Sequence, residues 1–128
     1  MDIQFTDLSE IPVPPDEVRI RDLGVTPYSD GVRLRLSLEL TPFLKPPSGE
    51  IFITDLLGNP VAAVNFIEAI DAKMQYTLHL RSADPHGEFT ARVIIFYSAS
   101  IDEITEGDQI IAMPEKKIVH EKVITFTL

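Results

Sequence analysis

The 128-residue chain is 45% hydrophobic and 24% charged, a balance that gives one globular domain able to bury roughly two thirds of the surface its unfolded chain exposes. Eleven basic residues against twenty acidic ones leave a net charge of −9, which repels polyphosphate backbones and anionic bilayers, so neither nucleic acid nor a membrane is an expected partner. With no cysteine there are no disulfides and no thiolate metal sites, so packing must supply the stability; the composition fits a reducing compartment.

In chain order, Met1 to Asp7 has neither a basic n-region nor an apolar h-region. The longest unbroken apolar run, Val93 to Tyr97, is five residues, far short of the ~20 that span a bilayer. A cytoplasmic, unexported protein is the expectation. Residues 1–17 scatter Ile3, Phe5, Leu8 and Ile11 before Pro12, Pro14 and Pro15. Proline cannot donate to a ladder, so this part is expected to be an ordered, extended N-terminal arm ahead of a domain over 18–128.

Val18 to Val25 is a predicted first strand, and Ser29-Asp30-Gly31 supplies the turn into the second. That second strand, Val32 to Leu40, is an unbroken alternation with Val32, Leu34, Leu36, Leu38 and Leu40 on one face and Arg33, Arg35, Ser37 and Glu39 on the other. A strand with one wet face is what such a pattern builds. Pro46-Pro47-Ser48-Gly49 makes the next loop, Glu50 to Asp55 is a third strand, and Gly58-Asn59-Pro60 reverses the chain into Val61 to Ile67. Phe66 to Lys73 reads as a helical turn or a strand crossing. Met74, Tyr76, Leu78 and Leu80 alternate with Gln75, Thr77, His79 and Arg81 in another strand, Phe89 to Tyr97 is strongly strand-forming, and Lys117 to Leu128 closes the domain. About seven or eight strands at this spacing predict an all-β, antiparallel two-sheet sandwich. Its core would hold Leu34, Leu36, Leu38, Met74, Tyr76, Leu78, Val93 and Ile95.

Ile53-Thr54-Asp55-Leu56-Leu57-Gly58-Asn59-Pro60-Val61 is similar to the mid-domain hairpin of immunoglobulin-like and fibronectin type III-like modules. Gly87-Glu88-Phe89-Thr90-Ala91-Arg92-Val93 is similar to their late strand with a Gly-x-aromatic start. At the level of pattern, most of residues 18–128 thus resembles that sandwich group, including bacterial Ig-like modules, although the chain has no cysteine pair, no tryptophan, and a phenylalanine where a corner tyrosine is expected. The resemblance implies an Ig-like strand order, in which the third strand, the Val61 strand and the late strand share one sheet. Phe52, Ile94, Phe96 and one of Val64 and Phe66 would then lie together on its outer surface, an apolar patch of the kind that marks association.

Chemistry-bearing residues are sparse. His79, His86 and His120 are far apart and lack metal-site spacing, and Asp84, His86 and Glu88 are explained by turn formation. No serine elbow or cysteine–histidine arrangement is present, so no enzyme and no cofactor are expected. Residues 98–116 form a 19-residue connection carrying Asp102, Glu103, Glu106 and Asp108. These are weak candidates for a hard cation, since their spacing does not match a calcium loop, and Ile101, Ile104, Ile110 and Ile111 suggest a folded flap or an extra short strand. The expected function is a non-catalytic protein–protein interaction or structural module, self-associating as a homodimer or docking on another protein. The alternative is a ligand-binding module, for carbohydrate or calcium, that uses the acidic 98–116 loop.

Overall fold

The strict alternation of the second strand gives it one dry face and one wet face. In the computed structural model, which describes residues 11–82, 85–98 and 116–128, β2 (Arg33–Leu40) lies between β1 (Ile20–Pro27) and β5 (Lys73–His79). Its leucines 34, 36, 38 and 40 are all buried. A second sheet has the order β4-β3-β6-β7, built from β3 (Ser48–Asp55), β4 (Pro60–Phe66), β6 (Glu88–Ser98) and β7 (Lys116–Thr127). Every neighbouring pair is antiparallel. The described residues therefore make an all-β, two-sheet antiparallel sandwich.

Between the sheets lies one core, in which Leu34, Leu36, Leu38, Leu78, Ile51, Ile53, Phe89, Val93 and Ile95 are buried, with Met74 and Tyr76 packed half-buried against them. Each large aliphatic side chain taken fully out of water contributes ~1.5–3 kcal/mol, enough for a fold without disulfides. Tyr97 also points inward and its hydroxyl donates to the Lys45 carbonyl at 2.7 Å, which satisfies the one polar atom that an inward tyrosine brings.

Turn chemistry follows the local sequence. The Asp30 carboxylate accepts from the N–H groups of Val32 and Arg33, and Gly31 has φ of 76°. In the β3–β4 turn, the Asp55 carboxylate accepts from Leu57 N, Asn59 N and Asn59 Nδ2, and Gly58 has φ of 86°. A positive φ is open to glycine at no steric cost, so both reversals are tight and fixed.

Of the N-terminal arm, the described part packs on the domain. Val13 bridges Phe43 through Val13 N to Pro42 O and Leu44 N to Val13 O, both 3.0 Å, and a 3-10 turn at Pro15–Glu17 leads into fully buried Val18. The Phe66–Lys73 stretch is neither a helical turn nor a strand across its length. It is an irregular crossing between the sheets, with Glu68 at φ 50°, pinned by Ala69 N to Pro47 O at 2.8 Å and Glu68 N to Ser48 Oγ at 3.1 Å. The flap or extra strand read within residues 98–116 falls almost wholly outside the described residues, as do residues 1–10 of the arm.

Candidate interaction surface

The outer face of the four-stranded sheet is set by the ladder register. Antiparallel partners project to the same side, so Ala63, Phe52, Arg92 and Val123 form one row across the sheet, and Asn65, Glu50, Ile94 and Glu121 the next. Ser48, Phe96 and Ile118 form a third row, and Thr54, Thr90 and Thr125 a fourth. Phe52 and Ile94 are half-buried, while Ile118 and Val123 are 60% and 52% exposed. An open depression of about 450 Å³ lies among Phe52, Thr54, Gly58, Pro60, Thr90, Arg92 and Val123.

Around Phe52, Ile94 and Val123 the charges are paired within the sheet, while Glu88, opposite Thr127 at the end of the same face, is exposed. Arg92 Nε donates to Glu121, and Lys116 Nζ donates to Glu50 Oε1 at 2.6 Å while standing 4.8 Å from the centre of the Phe96 ring. Two cations against two carboxylates leave these four groups neutral in a chain of net charge −9. The outer face of the other sheet differs. It carries Arg33 paired with Asp30 and Arg21 paired with Glu39 at 3.5 Å, and the Tyr28 ring lies under the guanidinium groups of Arg33 and Arg35 at 4.5 and 5.5 Å. That tyrosine offers no free ring platform of the sort carbohydrate stacking uses.

Of the five residues singled out from the sequence, the structure brings Phe52, Ile94 and Phe96 to the outer face and corrects the other two. Val64 stands opposite Ile51 and Phe66 opposite Gly49, so both point inward and pack against the core. The cause is a register shift between Ile53 and Thr54, where Thr54 pairs with Pro60 and Val61 is the extra residue. Because Val61 to Phe66 is apolar at most successive positions, its inward parity cannot be read from hydrophobicity. Phe66 instead covers Gly49 and stacks on Tyr76 with ring centres 6.2 Å apart. Phe96 does belong to the outer row, but at 7% exposure it is buried and cannot act as a free contact.

Val123 and Ile118 are the exposed apolar residues the sequence did not reveal. A second irregularity, between Ile95 and Phe96, lets Ile118 and Val123 share a face despite their opposite parity in the chain. The acidic candidates Asp102, Glu103, Glu106 and Asp108 lie outside the described residues, as does Asp84. Among the described residues no three His, Asp or Glu side chains are grouped to hold a metal ion, and no helix is long and apolar enough to cross a membrane.

A scan against protein-family models finds none that matches this chain, and a search of curated proteins finds no relative.

Proposed function

We propose that this chain is a non-catalytic protein-interaction module that self-associates through the outer face of its four-stranded sheet. The observation that carries the reading is the combination on that face of Phe52, Ile94, Ile118 and Val123 with a set of mutually paired charges. Two copies of a −9 chain repel wherever their acidic surfaces meet, and an apolar face whose central charges are paired is where the hydrophobic term outweighs that repulsion. Ile118 and Val123 each still expose about half of a side chain whose full burial is worth ~1.5–3 kcal/mol, and what they and the partly buried Phe52 and Ile94 gain in both copies works against the rigid-body entropy lost on pairing. The strand order of the two sheets is in keeping with an Ig-like or fibronectin type III-like module, a fold that hosts many binding roles and by itself assigns none. A cytoplasmic setting is part of the same proposal, since a fold without cysteine needs no oxidising compartment.

Light scattering at tens of micromolar tests it. A wild type of at least twice the 14.3 kDa chain mass that falls to a lower mass in Val123→Glu, with the fold retained by circular dichroism, is the expected result. A monomeric wild type, or a Val123→Glu variant with undiminished mass, overturns the assignment of this face.

A further inference from the structure

Independently of the outer face, we propose that the free edge of β4 pairs with β4 of a second copy, antiparallel about a two-fold axis at Val64, so that two four-stranded sheets run on as one. Among the described residues β4 has one strand neighbour, β3, and β7 closes the opposite edge. The two edges are treated very differently. β7 is blunted in the ways that discourage strand addition. It carries Lys117 and Lys122 in its inward-facing rows and an irregular register against β6, and its Val119 carbonyl and His120 ring are engaged by Arg19 and Ile20. β4 carries no charged side chain, and its own irregularity, its proline and its one occupied carbonyl are confined to Pro60 and Val61, leaving Ala62 to Phe66 regular. It sits within Leu56 to Ile67, a run of twelve residues without an ionisable side chain in a chain that is 24% charged.

Backbone groups on that edge are available in a defined place. Arg81 N donates to the Val61 carbonyl at 2.7 Å, so the Val61 carbonyl points away from β3. Groups of alternate residues in an antiparallel strand point the same way, which turns the N–H and C=O of Ala63 and Asn65 outward as well. With the Val61 carbonyl already occupied, pairing centres on Ala63 and Asn65. A two-fold at Val64 sets Ala63 opposite Asn65 of the second copy, and each such pair exchanges bonds in both directions. Small Ala63 beside Asn65 leaves no steric obstacle on the outer face.

The ends of the strand select a second copy as the occupant. Leu56 and Leu57 at one end and Ile67 and Ile70 at the other are strongly exposed, Ile70 completely. They are not displayed on loose loops: the Asp55 hydrogen bonds hold the first pair, and the Ala69, Glu68 and Ala72 backbone bonds hold the second. Antiparallel pairing about Val64 carries the Leu56-Leu57 turn of one copy toward the Ile67–Ile70 segment of the other, twice by symmetry. Apolar ends that have no partner within the described residues thus become each other's partners.

A single cysteine introduced into this cysteine-free chain reads the register. Val64→Cys places the thiol opposite itself at a position not hydrogen-bonded to the second copy, where Cα atoms lie at ~4.5 Å, within disulfide reach. Mild oxidation of Val64→Cys at tens of micromolar is expected to give a disulfide-linked dimer at least tenfold more abundant than Thr26→Cys, a control on the exposed face of the other sheet. Adding Ala63→Pro, which removes an N–H that β3 does not use, should abolish the cross-link in a chain that stays folded by circular dichroism; Asn65→Lys serves the same purpose if the proline unfolds it. Cross-linking of Val64→Cys no greater than that of Thr26→Cys, or undiminished by a folded edge variant, overturns the edge pairing. The Val123→Glu variant separates the two surfaces, since loss of face contact leaves the Val64→Cys cross-link in place.

Discussion

The backbone N–H of Ile20 donates to Nδ1 of His120 at 2.8 Å, tying the first strand of the small sheet to the last strand of the large one. An Nδ1 that accepts must be unprotonated, so this imidazole is held neutral with its proton on Nε2. Its pKa lies below the ordinary histidine value, first because burial penalises the charged ring and then because Arg19 and Lys122 stand nearby. Protonation therefore breaks the tie between sheets.

Stability should fall as pH drops through the histidine range. The unfolded chain takes up the His120 proton near pH 6.5 and the folded chain only at lower pH, so below about 6.5 the unfolded state binds more protons and gains on the folded one. The contribution is complete above the unfolded value and is lost toward the depressed folded value. Denaturant midpoints measured from pH 7 to pH 5 should decline in the wild type and much less in His120→Gln. Equal slopes for the two proteins would show that the bond to Ile20 carries no linkage. Asp30 and Asp55, also held below their ordinary range by hydrogen bonds from Val32 and Asn59 first of all, lose their contributions in a separate and more acidic window.

The core should behave as a single packed unit. Leu36 is fully buried at the centre of the central strand, between Val25 and Tyr76 in the ladder. Truncation to alanine removes the transfer energy of the lost methyls and leaves a cavity, a loss of about 2 to 5 kcal/mol. Denaturant titration measures it, and a change below ~0.5 kcal/mol would mean that the site collapses without cost.

How far the chain could be read depended on whether one face of each strand was wet. Arg33 to Leu40 alternates without exception because one side of β2 meets the core and the other meets water, and its end at Leu40 and its inward leucines were legible at once, while Val32, read as its first inward residue, precedes the strand and is 42% exposed. Asp30-Gly31 and Gly58-Asn59-Pro60 were legible as reversals because they need side-chain acceptors and positive φ at fixed offsets. Val64 and Phe66 were not, since β4 is apolar toward the core and nearly apolar on its outer side, so a one-residue shift at Thr54 leaves no trace in composition. Likewise nothing in Lys117 to Leu128 marks the irregularity that brings Ile118 and Val123 to one face. Backbone irregularities made by ordinary residues are decided by tertiary packing, and half of the candidate surface depends on them.

Gly49 should resist substitution. It stands opposite Phe66, and a Cβ there would overlap the Cζ and Cε1 atoms of that ring, which also stacks on Tyr76. The ring is covering the bare backbone of a strand glycine, as aromatic neighbours do in sheets. Gly49→Ala must push the ring off Tyr76, an overpacking cost of about 1 to 3 kcal/mol. If Gly49→Ala alone is destabilising and the Gly49→Ala, Phe66→Leu pair recovers part of the loss, the two residues are coupled as the structure places them; additive losses would refute it.

Two outward-facing positions should separate folding from assembly. Val123 is 52% exposed and its neighbours across the ladder are Arg92 and, beyond it, Phe52. A glutamate there meets solvent and a guanidinium, so Val123→Glu should change monomer stability by no more than about 0.5 kcal/mol. Phe96 is 7% exposed and lies under the Lys116 ammonium between Ser48 and Ile118. Phe96→Glu removes a buried ring, worth about 3 to 5 kcal/mol in truncations, and puts a carboxylate into a poorly hydrated place, with Lys116 already committed to Glu50. Its main effect should therefore be unfolding, by at least about 3 kcal/mol. Chemical denaturation of both variants, with mass in solution measured on whichever remains folded, checks the assignment. A stable Phe96→Glu protein would mean that this side chain is free at the surface, and an unfolded Val123→Glu protein would mean that β7 packs against more than the described sheet.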